Sequence, residues 1–244
     1  MSEQLQIEQV RNVLIRLEET IIFALIERAQ FMRDAVIYDP GRFGSVLEGE
    51  SLVGFMLLET ERSHALVRRY DSPDEHPFFD NLPNPILPEL SFAESPLRAN
   101  EININEEIRK IYEGEVVPHI CRDGDDKQYG SAAVCDVACL QSLSKRIHYG
   151  KFVAESKLRK GSAELLASVS ARDADGVMRA ITDAAVEEAV LRRVETKAKR
   201  YTGELADASS TPTVDYRQIV DIYRRWVIPL NKQVQVEYLL LPQE

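Results

Sequence analysis

VACLQSLSKRIHYGKFVAESK, residues 137–157, is the stretch whose reading decides the fold. Leu140, Leu143, Ile147 and Ala154 recur at helical spacing, so the segment reads as a helix with one apolar face. Arg146 and Lys157 lie eleven residues apart. That is about three turns, which points both the same way, roughly 16 Å apart along the axis. Two cations on a helix otherwise fit for a core either snorkel to the surface or meet an anion, because burying them unpaired is costly.

Helical periodicity recurs on either side. Val10, Leu14, Leu17, Ile21 and Leu25 predict a helix over 5–31, about 40 Å long, with Arg11 beside its apolar stripe. A second helix is expected over 51–70, ending in Arg68 and Arg69, basic residues that suit a helix C-terminus. Residues 71–100 hold six of the eleven prolines and read as an extended connection. A helix over 101–120 ends near Pro118. The loop 122–134 then places Gly130 and Ser131 where backbone N–H groups cap a helix or receive a carboxylate. Helices follow over 161–172, 173–200 and 216–240, the last with Asp215 as N-cap and a kink at Pro229. No run reads as a strand. The expected fold is all-α, a long-helix bundle forming a single domain over 1–244.

Three helices carry polar pairs on apolar rows: Arg146 with Lys157, Asp183 with Glu187, and Asn231 with Gln235. Together they could line one pocket with a cationic wall, an acidic wall and a neutral wall. A dianionic small molecule bearing a hydroxyl would match it. No nucleophile–base pair stands out, and His148 reads as a structural histidine. The pocket therefore suits binding, or a reaction driven by orientation and electrostatics.

Composition bounds the rest. A net charge of −10 lacks the basic footprint of a nucleic-acid binder. No apolar run approaches the length of a membrane span. The start of the chain, MSEQLQIEQV, has no basic-then-apolar pattern, and the three cysteines suit a reducing cytosol, so a cytoplasmic protein is expected. Cys135 and Cys139 lie four apart, but no His/Cys pair at ligand spacing completes a metal site.

Blocks of the sequence resemble the fungal and plant allosteric chorismate mutases. They are RNVLIRLEETIIFALIERAQF (11–31), RRYDSPDEHPFF (68–79), RDGDDKQYGS (122–131), CLQSLSKRIHYGKFVAESK (139–157), ITDAAVEE (181–188) and VIPLNKQVQVEYLL (227–240). The resemblance implies an all-helical homodimer with one active site per protomer. It implies the cofactor-free rearrangement of chorismate to prephenate, feeding phenylalanine and tyrosine synthesis. By matched positions, Arg11, Arg146 and Lys157 would carry the substrate carboxylates, and Lys157 would also reach the ether oxygen. Glu187 would hold the ring hydroxyl, helped by Asp183. Asn231 and Gln235 would complete the pocket, with Gln235 facing the ether oxygen. The family pattern has Asn, Thr and Glu at 183, 231 and 235. Glutamine donates at any ordinary pH, so turnover is expected to stay level from mildly acidic to mildly alkaline conditions.

The resemblance also implies a regulatory site at the dimer interface for tyrosine as inhibitor or tryptophan as activator. Arg68, Arg69, Gly130 and Ser131 match it. Val134 stands where the family has Thr, and Lys127 and Gln128 replace Asn-Asn. A non-catalytic amino-acid sensor or scaffold that keeps the fold is the rival reading.

Overall fold

The structure is a computed structural model and describes residues 7–47, 49–89, 95–208 and 214–242. It is built of α1 (Ile7–Arg28), α2 (Leu52–Leu66), α3 (Asn105–Ile111), α4 (Val117–Ile120), α5 (Tyr129–His148), α6 (Gly150–Lys160), α7 (Ala163–Ser170), α8 (Ala174–Ile181), α9 (Ala184–Ala208), α10 (Tyr216–Ile222) and α11 (Ile228–Leu239). The fold is all-α, and no strand occurs among the described residues.

Local chemistry starts most helices where the sequence says. Ser51 and Ser162 accept hydrogen bonds from Gly54 and Leu165 N–H, capping α2 and α7. Asp173 caps α8, and Asp215 forms a capping box with Gln218 at α10. Gly161 closes α6 in the left-handed conformation, which costs glycine little.

Several expected boundaries differ. The stretch 137–157 is not one helix: Tyr149 breaks it into α5 and α6. The helix expected over 173–200 is interrupted at Thr182 and Asp183, and α9 then continues to Ala208. The loop expected over 122–134 ends at Gln128, so Gly130, Ser131 and Val134 lie in the first turns of α5. Residues 209–213 of the polar loop expected after 200, and 90–94 of the proline-rich connection, lie outside the described residues.

Proline explains two further irregularities. Pro118 and Pro229 each follow a five-residue π segment, Tyr112–Val116 and Tyr223–Val227. A proline ring clashes with the carbonyl four residues back and offers no N–H. Here that carbonyl belongs to Gly114 or Arg225, inside the wider π turn, which moves it aside. The kink expected in the last helix therefore takes the form of a π segment just before Pro229.

The core is centred on α1 against α5, with Ile21, Ile22, Leu25 and Ile26 facing Leu140, Leu143 and Ile147. A buried ion pair crosses it. Arg28 Nε lies 2.6 Å from Asp136 Oδ1, and Tyr38 and Tyr112 donate to the same carboxylate at 2.9 and 2.7 Å. Helices α6 and α11 cross closely because residue 150 is glycine: a Cβ there would sit 2.7 Å from the Asn231 carbonyl. The connection after α2 is strapped down by Glu61, which accepts the Phe78 and Phe79 N–H groups, and by Lys145, which reaches Asp74 and Glu75.

Candidate active site

One cavity of about 340 Å³ gathers Arg11, Arg146, Lys157, Asp183, Glu187, Asn231 and Gln235. Its walls come from α1, α5, α6, α9 and α11 and the α8–α9 break. Both cations of the 137–157 stretch reach it even though the helix breaks between them at Tyr149.

Arg146 is 4 % exposed, and its Nε and Nη1 are buried with no acceptor among the described residues. Burial holds its pKa below the ordinary arginine value, against the pull of Tyr223 and Glu18. A buried guanidinium in this condition is a site for an anion.

Lys157 donates to the Ile181 carbonyl at 2.7 Å and to Gln235 Oε1 at 3.2 Å. Burial pushes its amine down to about 8, with Asp183 and Glu187 opposing the shift and Lys232 adding to it. Gln235 donates to Asn231 Oδ1 at 2.9 Å, and Asn231 donates to the Arg146 and Ile147 carbonyls at 3.2 and 2.9 Å. The two amides are thus a fixed strut from α11 to the end of α5. Gln235 has two amide hydrogens; one holds Asn231 and the other is left for the cavity.

Asp183 does not sit mid-helix as its row suggested. It opens α9, accepting from Ala185 and Val186 N–H at 3.0 and 3.1 Å. The row that paired Asp183 with Glu187 on one helix crosses the break between α8 and α9, yet both carboxylates line the cavity. Arg11 lies at the exposed rim. His148 lies outside it, accepting from Ile104 N–H at 3.0 Å, which agrees with a structural role.

Sequence reasoning missed Lys160 and Lys232, which also line the cavity. Lys232 Nζ stands 2.9 Å from Glu187 Oε1. It lies one position off the row through Asn231, so no spacing argument selects it. With them the cavity holds five cations and two carboxylates in a chain of net charge −10.

Known proteins share this fold. The chain is 46 % identical over 245 residues to a chorismate mutase of Schizosaccharomyces pombe, covering 98 % of this chain and 97 % of that one. The chain belongs to the chorismate mutase family. A family profile, chorismate mutase type II, matches residues 128–236, which span α5 to α11. The crystal structure of AtCM1 with tyrosine bound in the allosteric site superposes with a TM-score of 0.89 at 45 % identity, covering 99 % of this chain and 98 % of that one. Aro7p chorismate mutase from Candida albicans, in complex with L-Trp, gives 0.90 at 38 %, covering 97 % and 91 %. The activity of this chain is accordingly chorismate mutase activity, an isomerisation.

The residues matched to the chorismate mutase regulatory site are not brought together within this chain. Arg68 is left-handed, past the end of α2, and donates to the Leu87 carbonyl and to Asp71. The helix expected to run to residue 70 ends at Leu66. Arg69 pairs with Glu75 at 3.2 Å, and Glu75 pairs with Lys145 at 2.5 Å. Lys145 is fourteen residues along α5 from Ser131, about 20 Å. Gly130, Ser131 and Val134 are exposed, Val134 by 56 %. Among the described residues no helix is long and apolar enough to cross a membrane.

Proposed function

We propose that this cavity is the active site for the rearrangement of chorismate to prephenate. Arg146 and Arg11 take the substrate carboxylates, with Lys157 shared between a carboxylate and the ether oxygen. Glu187 accepts the ring hydroxyl, with Asp183 beside it at the α9 terminus. Gln235 donates to the ether oxygen, held in place by Asn231. No group in the cavity need act as nucleophile; the rate comes from holding the enolpyruvyl arm over the ring and from donors aimed where charge develops. The observation that carries this reading is the unpartnered, buried Arg146 guanidinium facing a cavity walled by the other six residues. The test is loss of chorismate absorbance with purified protein: activity that vanishes in Arg146→Ala supports the assignment, and normal turnover in that variant removes it.

The reading extends to regulation by aromatic amino acids in a cytoplasmic homodimer, with the whole chain acting as one domain. Support for the single domain is that the cavity draws residues from Val10 to Gln235. Support for the dimer is the separation of Arg68 and Arg69 from Gly130 and Ser131, which a second copy can bridge. Effector identity follows the solved relatives, which hold tyrosine or L-Trp. Sedimentation with and without tyrosine tests the assembly; a monomer that still responds to tyrosine defeats it.

A further inference from the structure

Lys232 sits where α11 meets the break between α8 and α9. Its Nζ is 2.9 Å from Glu187 Oε1 and donates to Thr182 Oγ1 at 3.5 Å. One ammonium therefore ties the first turn of α9 to α11 across the cavity mouth. It lines the same cavity as Lys157, whose pKa its charge lowers in addition to the larger effect of burial. Lys157 is faced by Asp183 and Glu187 from α9, by Lys232 and Gln235 from α11, and by the Ile181 carbonyl of α8. Arg11, Arg146 and Lys160 line the same cavity from α1, α5 and α6.

We propose that Lys232 is a positioning residue for the reaction: it aims the Glu187 carboxylate into the cavity and adds a second ammonium to the one that Lys157 brings to the same dicarboxylate-binding pocket. This rests on the active-site reading given above. The capture of substrate by free enzyme needs Lys157 as an ammonium. That form is present below its pKa of about 8 and is lost above it, so kcat/KM falls on the alkaline side. Taking away the Lys232 charge makes Lys157 easier to protonate and moves that fall to higher pH. Taking away the Asp183 charge does the reverse. Asp183→Asn keeps the side-chain oxygen that caps α9, so it changes the charge with little change in the helix.

Without its partner Glu187 is less well aimed, so Lys232→Met raises KM for chorismate several-fold at neutral pH and changes kcat less. Lys232→Arg restores KM. A surface brace with no part in the chemistry would lower activity evenly across pH.

The experiment compares kcat/KM–pH profiles of wild type, Lys232→Met, Lys232→Arg and Asp183→Asn. Alongside, lysine isotopically labelled at Cε is titrated by NMR, with the Lys157 signal assigned by its loss in Lys157→Arg. The expected result is that both the NMR midpoint and the alkaline fall rise in Lys232→Met by about half a pH unit, the scale of two like charges several Å apart in a solvated cleft. Both fall in Asp183→Asn. If Lys232→Met leaves both unmoved while Asp183→Asn shifts them, the role given to Lys232 is overturned and the pocket assignment stands. If the NMR midpoint moves and the activity profile does not, Lys157 is not the group that captures substrate, and the pocket assignment falls with the proposal.

Discussion

Two arginines are buried among the described residues, and they are buried in opposite ways. Arg28, fully buried at the end of α1, has its donors spent on Asp136, the Met32 and Arg33 carbonyls and the Tyr38 hydroxyl. Its pKa is raised: the Asp136 carboxylate and the other groups around it more than offset burial, the largest single influence, which acts the other way. Arg146, on the helix that also carries Asp136, has Nε and Nη1 with no acceptor, and burial lowers its pKa. Both desolvate a guanidinium. The first is compensated by the fold itself. The second is left to be compensated by a ligand, and that difference separates a structural cation from a binding one.

Arg28→Met tests the first half and carries the largest expected effect. It strands the Asp136 carboxylate in the core, which costs about 3–5 kcal/mol. Thermal unfolding should drop by about 10 °C, since roughly 2–4 °C is lost per kcal/mol at this chain length. A variant that melts within a degree or two of wild type breaks the comparison.

Arg146→Met tests the second half. Removing a charge the fold does not compensate should leave the melting temperature level or raise it. Activity should fall on the order of a hundredfold or more, about 3 kcal/mol of lost contact to a dianion. Lys157→Ala should lose activity on the same scale. If Arg146→Met destabilises as strongly as Arg28→Met, the two arginines are alike and the pocket reading is wrong.

A smaller effect sharpens the contrast through pH. Because Lys157 is pushed down to about 8, kcat/KM should decline above that pH, whereas kcat, measured with the dianion bound, should stay level. Gln235→Glu should make kcat itself fall as pH rises, because a carboxylate beside the ether oxygen no longer donates once ionised. Identical profiles for the two proteins would mean that Gln235 serves only as the strut to Asn231.

The smallest effect concerns arginines at the surface. Arg68 and Arg69 are paired with Asp71 and Glu75, neighbours that an effector can displace at little cost. Val134 cannot donate to a phenolic hydroxyl. Val134→Thr should therefore strengthen tyrosine inhibition several-fold and alter the tryptophan response less. Titration showing no change in either would remove Val134 from the regulatory site.

Residue spacing alone determined that the chain is helical, where the cap at Asp215 falls, and that Arg146, Lys157, Glu187, Asn231 and Gln235 lie on otherwise apolar rows. These follow from local periodicity, which is written within a few turns of chain. Only the tertiary structure decided which buried cation is satisfied. Arg28 and Arg146 each sit on an apolar helix face, and what distinguishes them is Asp136, 108 residues beyond Arg28. The break at Asp183 and the approach of Lys232 to Glu187 were likewise out of reach of spacing, since both depend on how α8, α9 and α11 converge. A partner for a charge is a property of distance in space, and helical periodicity carries no information about it beyond a few residues.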